Sequence, residues 1–251
     1  PVDEVKIRDT NFIKSVYDDK DYLKKTFRYI FKNYNYRKKM FGSERYEYCV
    51  KRLKLKKNSR VLDVGCGMAY FVNYLKSKKV YCKGLEPTKA IAEFCKSKLK
   101  LNVSSNPIDE EKNNSYDLIT MFDVVEHLKD PVKYLKVINK KLKKNSYCVM
   151  YTPNIHSFAY ALMGSNQNGI LPFEHLCFFN KKSLEYLSKK TNFKVDKVET
   201  FGWDIMDYIT FNEFKNKKKF YKYFGDFAKL LQPVLDKSGL SNHMRITFKK
   251  K

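Results

Sequence analysis

The chain has 251 residues, of which 43% are hydrophobic and 16% aromatic, and it carries a formal net charge of +24. Its length and apolar content exclude a disordered polymer and accommodate one domain with appendages around a sizeable core. The charge points either to an anionic partner or to lysine enrichment spread over solvated faces. Lysine pairs and triplets lie throughout, at Lys24-Lys25, Lys38-Lys39, Lys140-Lys141, Lys143-Lys144 and Lys217 to Lys219, which favours solvated faces. The six cysteines (Cys49, Cys66, Cys82, Cys95, Cys148, Cys177) form no C-x-x-C pair, so they read as reduced, buried thiols of a cytoplasmic protein. Pro1-Val-Asp-Glu-Val-Lys6 is no signal peptide, and no apolar run approaches a membrane span.

Residues 1–57 read as a helical N-terminal cap. Asp18-Asp19-Lys20-Asp21 offers a helix start, and Tyr22, Leu23, Thr26, Phe27, Ile30 and Phe31 make an apolar stripe. Met40-Phe-Gly42 breaks the pattern, and Ser43 to Leu53 predicts a second helix. This segment either packs against a sheet or forms a lid whose tyrosines (Tyr17, Tyr29, Tyr34, Tyr36) close over a ligand.

The remainder, 58–251, reads as one α/β domain. Val61, Leu62 and Val64 make a buried strand that carries Asp63 and ends on Gly65-Cys66-Gly67, with a helix opening at Ala69. Glycines there let the backbone turn sharply and bring N–H groups close to a ligand. A second strand, Val80 to Leu85, ends at Glu86. An acidic side chain at that place can accept hydrogen bonds from both ribose hydroxyls of an adenosine cofactor. A dinucleotide fingerprint wants a third glycine where this chain has Tyr70.

Strand, Asp63, Gly65-x-Gly67, helix, strand and Glu86, in that order, resemble the cofactor motifs of class I S-adenosylmethionine-dependent methyltransferases. The resemblance covers roughly residues 58–200. It implies S-adenosylmethionine as cofactor and S-adenosylhomocysteine as product, with Asp63, Gly65, Cys66, Gly67, Glu86 and Pro87 around them. Such enzymes usually carry a variable N-terminal cap.

Pro87-Thr88 starts the next helix, with Ile91, Phe94, Cys95 and Leu99 on one face, and Leu101 to Ser105 is a third strand. The family's adenine-binding Asp is missing there, which leaves Ser105, Asn106 and Asp109 as the nearest substitutes. Tyr116 to Asp123 is a fourth strand that brings Phe122 and Asp123 to the cofactor. The run through Val124-Val-Glu-His-Leu-Lys-Asp-Pro131 resembles the ubiquinone-O-methyltransferase-like branch. Asp130-Pro131 caps a helix facing inward through Leu135, Ile138 and Leu142. Tyr147 to Tyr151 is a fifth strand. A short helix and loop follow over 157–169, then a helix capped by Asn180, a sixth strand at 193–198 and a last strand at 245–248.

The alternation predicts a Rossmann-like, doubly wound, seven-stranded sheet, mostly parallel, with ligands at the strand C-termini. By family resemblance the last strand is antiparallel. An aromatic insertion, 202–242, is expected to be helical and to bury against the sheet edge or a homodimer partner, or to cap the substrate.

An oxygen acceptor of high pKa needs a base or a metal to remove its proton. His127 lies just past the fourth strand, either tied to a helix terminus or beside the sulfonium. In the quinone branch a Glu-x-x-Glu-His block resembles a divalent-metal site; here it reads Asp123-Val-Val-Glu126-His127. No metal is the main expectation, with Asp123, Glu126 and His127 the ligand set otherwise. Pro172-Phe-Glu-His-Leu-Cys-Phe-Phe179 resembles methyltransferases associated with surface-glycan or capsule biosynthesis. His175 is the expected general base, against a structural role pinning the loop, while Tyr151, Asn154 and Glu174 contact the acceptor. His156 and His243 are less well placed.

The resemblance implies O-methylation of an anionic small molecule, such as a nucleotide-linked or phosphorylated sugar. A nucleic-acid methyltransferase is disfavoured: Phe122-Asp-Val-Val stands where an Asp/Asn-Pro-Pro-aromatic tetrapeptide would grip a flipped amine, and no Pro-Cys dipeptide occurs. An NAD-dependent oxidoreductase is disfavoured by Tyr70, and a non-catalytic binding protein by the full cofactor motif.

Overall fold

Strand β1 (Arg60–Val64) is the central element, and it is an almost continuous apolar run because both of its faces are covered. The structure is a computed structural model and describes residues 32–171, 174–217, 219 and 221–251. The expected helix over 18–31 and the lid tyrosines Tyr17 and Tyr29 lie outside the described residues. The chain forms two compact units, one running to Met121 and including Lys140–Tyr147, the other comprising Phe122–Asn139 and Cys148–Lys251.

In the first unit, helix α1 (Tyr34–Tyr46) runs on into a π-helical segment, Glu47–Arg52. Gly42 therefore does not break the helix, contrary to expectation. A Cβ at Gly42 would lie 2.5 Å from Cβ of Tyr74, so the glycine is where α1 comes hard against α2 (Tyr70–Ser77). Helix α2 buries Phe71, Val72 and Leu75, which share one face at helical spacing. After it come β2 (Tyr81–Leu85), α3 (Lys89–Ser97), β3 (Val103–Ser104) and β4 (Tyr116–Phe122). Strand β1 pairs in parallel with β2 on one side and β4 on the other. Strand β3 is only two residues long, shorter than the expected 101–105.

Helix α4 (Pro131–Lys141) starts where Asp130 Oδ1 accepts the Lys133 amide at 2.8 Å, and Pro131 at its head loses no hydrogen bond that the helix needs. It leads directly into β5 (Leu142–Pro153), longer than the expected 147–151.

In the second unit, Ser157 caps the short helix α5 (Phe158–Met163). Asn180 caps α6 (Lys181–Lys190) through a reciprocal capping box with Ser183. Strand β6 (Phe193–Phe201) is followed by α7 (Asp204–Asn216), α8 (Tyr221–Ser238) and β7 (His243–Lys250). The insertion is thus helical, and β7 pairs antiparallel with β6. The strand order β3-β2-β1-β4-β5-β7-β6 is the expected seven-stranded mixed sheet.

Candidate functional site

The first unit builds a cradle from the bend after β1. Gly65 (φ 67°), Gly67 (φ 52°) and Ala69 (φ 56°) all adopt left-handed backbone, which two glycines make inexpensive. The amides of Gly65 and Cys66 donate to Leu85 O at 2.8 and 3.0 Å, folding the bend back over the end of β2. Gly84 permits that closeness, since a Cβ there would lie 2.6 Å from Cys66 Sγ. Burial raises the Cys66 thiol well above its ordinary pKa, so it stays neutral. Glu86 is buried and its carboxylate is fully oriented: Oε2 accepts from Gly67 N at 2.9 Å and Oε1 from Thr88 N at 2.9 Å. Each oxygen keeps a second lone pair, enough for a diol.

Most of the bend's amides are therefore spent internally rather than offered outward, a departure from the sequence expectation. What the bend leaves open is a face: a Cβ built on Gly67 meets nothing within 4 Å. A buried carboxylate at one side and open space above a glycine fit an adenosine cofactor. Gly67 and Glu86 could hold it, with Pro87 exposed beside them.

Asp63 sits beneath the bend, 2% exposed, and Thr120 Oγ1 donates to its Oδ1 at 2.7 Å. Burial, opposed by Arg45 and this hydrogen bond, pushes its carboxyl up to about 6. Tyr34, the one buried member of the expected lid tyrosines among the described residues, donates to Met68 O at 3.2 Å and accepts from Asn73 Nδ2 at 2.9 Å. Tyr36 is exposed. On the adenine side, Ser105, Asn106 and Asp109 are all exposed, and Asn106 Nδ2 donates to Glu110 Oε2 at 2.6 Å.

The second unit gathers the expected acceptor-side residues. A short 3-10 turn, Val125–His127, follows β4. The amides of Leu176 and Cys177 both donate to Glu126 O, at 2.7 and 3.0 Å, which brings His175 beside that turn. The His127 and His175 rings meet edge to face at 4.8 Å. His127 Nδ1 lies 2.8 Å from Glu174 O, and His175 Nδ1 lies 3.0 Å from Gly169 O. A carbonyl only accepts, so both Nδ1 atoms carry a proton. Burial and the neighbouring His127 lower the His175 pKa, which keeps that ring neutral. Glu174 itself is exposed.

Glu126 is 1% exposed and accepts from Thr152 Oγ1 at 3.1 Å; burial and the charge of Asp123 push its carboxyl up to about 7. Glu126, His127 and His175 each present one ligand atom within 4.8 Å of the others, so among the described residues they could hold a divalent cation. Asp123, part of the set drawn from the sequence, is not in that group. Its backbone is left-handed (φ 57°) and its Oδ1 lies 2.9 Å from His243 Nε2.

His243, ranked from the sequence as less well placed, is the residue that the structure brings to Asp123. Because β7 runs antiparallel, its first residue falls at the edge where the parallel strands end, the ligand edge of such sheets. Burial pulls its pKa down, but the hydrogen bond and charge of Asp123, with Glu126 and Asp207 adding, carry it above the ordinary value. Phe122 and Tyr151 pack edge to face at 4.7 Å, and Tyr151 OH accepts from Arg245 Nε at 2.9 Å. Asn154 is buried, with Nδ2 donating to Ser241 O at 2.9 Å and Oδ1 accepting from His156 N at 3.0 Å. Its side chain is a tie within the fold.

Comparison with known proteins accords with this geometry. A family profile described as "Methyltransferase domain" matches residues 36–198. A ubiquinone biosynthesis O-methyltransferase of Pelagibacter ubique is 26% identical over 60% of this chain and 68% of its own length. That of Rickettsia typhi is 26% identical over 58% of this chain and 61% of its own. Among solved structures, a SAM-dependent methyltransferase from Archaeoglobus fulgidus superposes with a TM-score of 0.59 at 21% identity, covering 88% of this chain and 99% of that one. Phosphoethanolamine N-methyltransferase 2 of Haemonchus contortus, in complex with S-adenosyl-L-methionine, gives 0.54 at 21% identity, covering 78% and 49%.

Proposed function

Because the chain belongs to the methyltransferase domain family, within the class I S-adenosylmethionine-dependent enzymes, we propose that it methylates a hydroxyl oxygen of a small molecule. The observation that carries the cofactor half is the Glu86 carboxylate, held buried on Gly67 N at the open face of the bend. When bound, S-adenosylmethionine supplies an already activated methyl group. The protein's task is then to position the acceptor, exclude water and take one proton.

Glu86 grips the ribose diol, and the uncluttered face of Gly67 lets the cofactor approach the backbone. His175, neutral and with Nε2 unshared, accepts the acceptor's hydroxyl proton; its Nδ1–H···O=C bond to Gly169 fixes the tautomer. His127 contacts the same oxygen, and Glu174 lies at the exposed rim. The O-methyltransferase names of the curated relatives support oxygen as the acceptor atom. The narrower reading, an anionic, sugar-linked acceptor, rests on the Glu174 to Phe179 resemblance and on the net charge alone.

A second reading is favoured by the convergence of Glu126, His127 and His175: a divalent cation there would polarise the acceptor hydroxyl. Titration of the chelated protein with Zn²⁺ or Mg²⁺ distinguishes the two. Stoichiometric binding lost in His175→Asn supports the metal, whereas heat traces identical to buffer leave His175 as the base. Turnover of methyl-labelled S-adenosylmethionine with phenolic and sugar-phosphate hydroxyls tests the acceptor class, and nitrogen-only acceptors would contradict it.

A further inference from the structure

Helix α8 faces the wrong way for a simple surface helix. Its buried residues are small or polar (Gly225, Ala228 and Gln232). Its solvent side carries Tyr223, Phe227, Leu230 and Val234, which are 74, 55, 74 and 61% exposed. Their spacing is four, three, four, the repeat that keeps one seam along a helix aligned with a partner helix. Phe224, half exposed, widens the seam on one side.

We propose that this stripe is the interface of a two-fold dimer, with α8 packed antiparallel against α8 of a second copy. The two-fold axis would pass between Phe227 and Leu230. Phe227 then meets the partner's Leu230, and Tyr223 meets the partner's Val234. A strict four-three seam suits the shallow crossing of helices packed in this way.

Charge selects this occupant. The helix carries three lysines (Lys222, Lys229, Lys237) and two aspartates (Asp226, Asp236), both signs interspersed. An anionic membrane surface would be met by cations alone along the flanks of the apolar face. In the antiparallel pair, Asp226 and Lys229 of both copies instead come near the axis on the same flank, so the two lysines that approach there arrive with two aspartates. Within one chain Lys229 and Asp226 already lie 3.1 Å apart, with the Asp226 side chain fully exposed, so pairing converts a solvated ion pair into a four-charge array. The exposed apolar side chains amount to on the order of 500 Å² per copy. Two copies would thus bury about 1,000 Å², the lower bound for a specific interface.

Sedimentation of the full chain tests this. Wild type is expected at twice the chain mass, and Leu230→Lys and Phe227→Asp at the single mass. These positions face solvent, and an unchanged melting temperature would show the variants folded. Lys229→Asp should weaken association by about tenfold or more, and adding Asp226→Lys in the same chain should restore it. A wild-type chain that stays monomeric at every soluble concentration overturns the proposal. So does a dimer indifferent to Leu230→Lys. A monomer that co-sediments with phosphatidylglycerol vesicles, and loses this with Leu230→Lys, assigns the stripe to a membrane surface instead.

Discussion

His243 and Asp123 stand 120 residues apart in sequence and 2.9 Å apart in space, Nε2 against Oδ1. The carboxylate holds the imidazole above its ordinary pKa against a burial effect that would depress it. Removing the charge should therefore reverse the shift. In Asp123→Asn, His243 is expected to titrate below an unperturbed histidine, and in wild type above it, as read from imidazole proton shifts against pH. Equal titration in both proteins would show that the pair is not formed. The linked stability has a definite sign. A raised folded pKa stabilises fully below the unfolded value near 6.5, and the contribution is lost as pH rises through the folded value.

Asp63 offers a second pH test. Its carboxyl is pushed up from 3.8 to about 6, chiefly by burial. The raised value means that protonation favours the fold: the benefit is complete near pH 4 and gone once pH has passed about 6. Between those limits wild type should lose on the order of 3 kcal/mol through this group. Asp63→Asn keeps an acceptor for Thr120 and cannot ionise, so its melting temperature should gain on wild type as pH rises from 4 to 7. Parallel curves would contradict the buried, raised carboxyl.

Gly84 tests the closeness of the bend to β2. An alanine Cβ would stand 2.6 Å from Cys66 Sγ and 3.2 Å from both Val103 and Val72. Overpacking of this kind costs about 1–3 kcal/mol. Gly84→Ala should lower the denaturation midpoint accordingly and weaken cofactor binding by displacing Cys66. Gly67→Ala meets no neighbour but forces alanine into left-handed backbone. It should cost about 1 kcal/mol and narrow the open face. A Gly84→Ala protein as stable as wild type would mean that the bend stands further from β2.

Much of this architecture was legible in the sequence because it depends on local signals. The apolar run of β1, the Asp130-Pro131 start of α4 and the Asn180 cap of α6 each specify structure within a few residues. Gly42 was misleading because a glycine in a helix reads as a break, while here it makes room for Tyr74. Strand β3 proved short because edge pairing, here only Gly84 and Leu85 opposite Val103 and Ser104, leaves no pattern in composition. The site divided the same way. Glu86 was visible from its spacing to Gly67, whereas Thr120 beneath Asp63 and His243 beside Asp123 are brought in by sheet order, across 57 and 120 residues. His175 was singled out from its motif, but its contact with the Val125–His127 turn depends on two amides donating to Glu126 O, which no local pattern announces.

The cofactor cradle is tested most directly by calorimetric titration with S-adenosylhomocysteine. Wild type should bind one equivalent, and NAD should give no heat. Glu86→Ala should bind at least about a hundredfold more weakly, because it removes both the diol's acceptor and the anchor on Gly67 N. His175→Ala should bind as wild type does. Equal affinity in wild type and Glu86→Ala, or a wild-type protein that takes NAD in its place, would contradict the account.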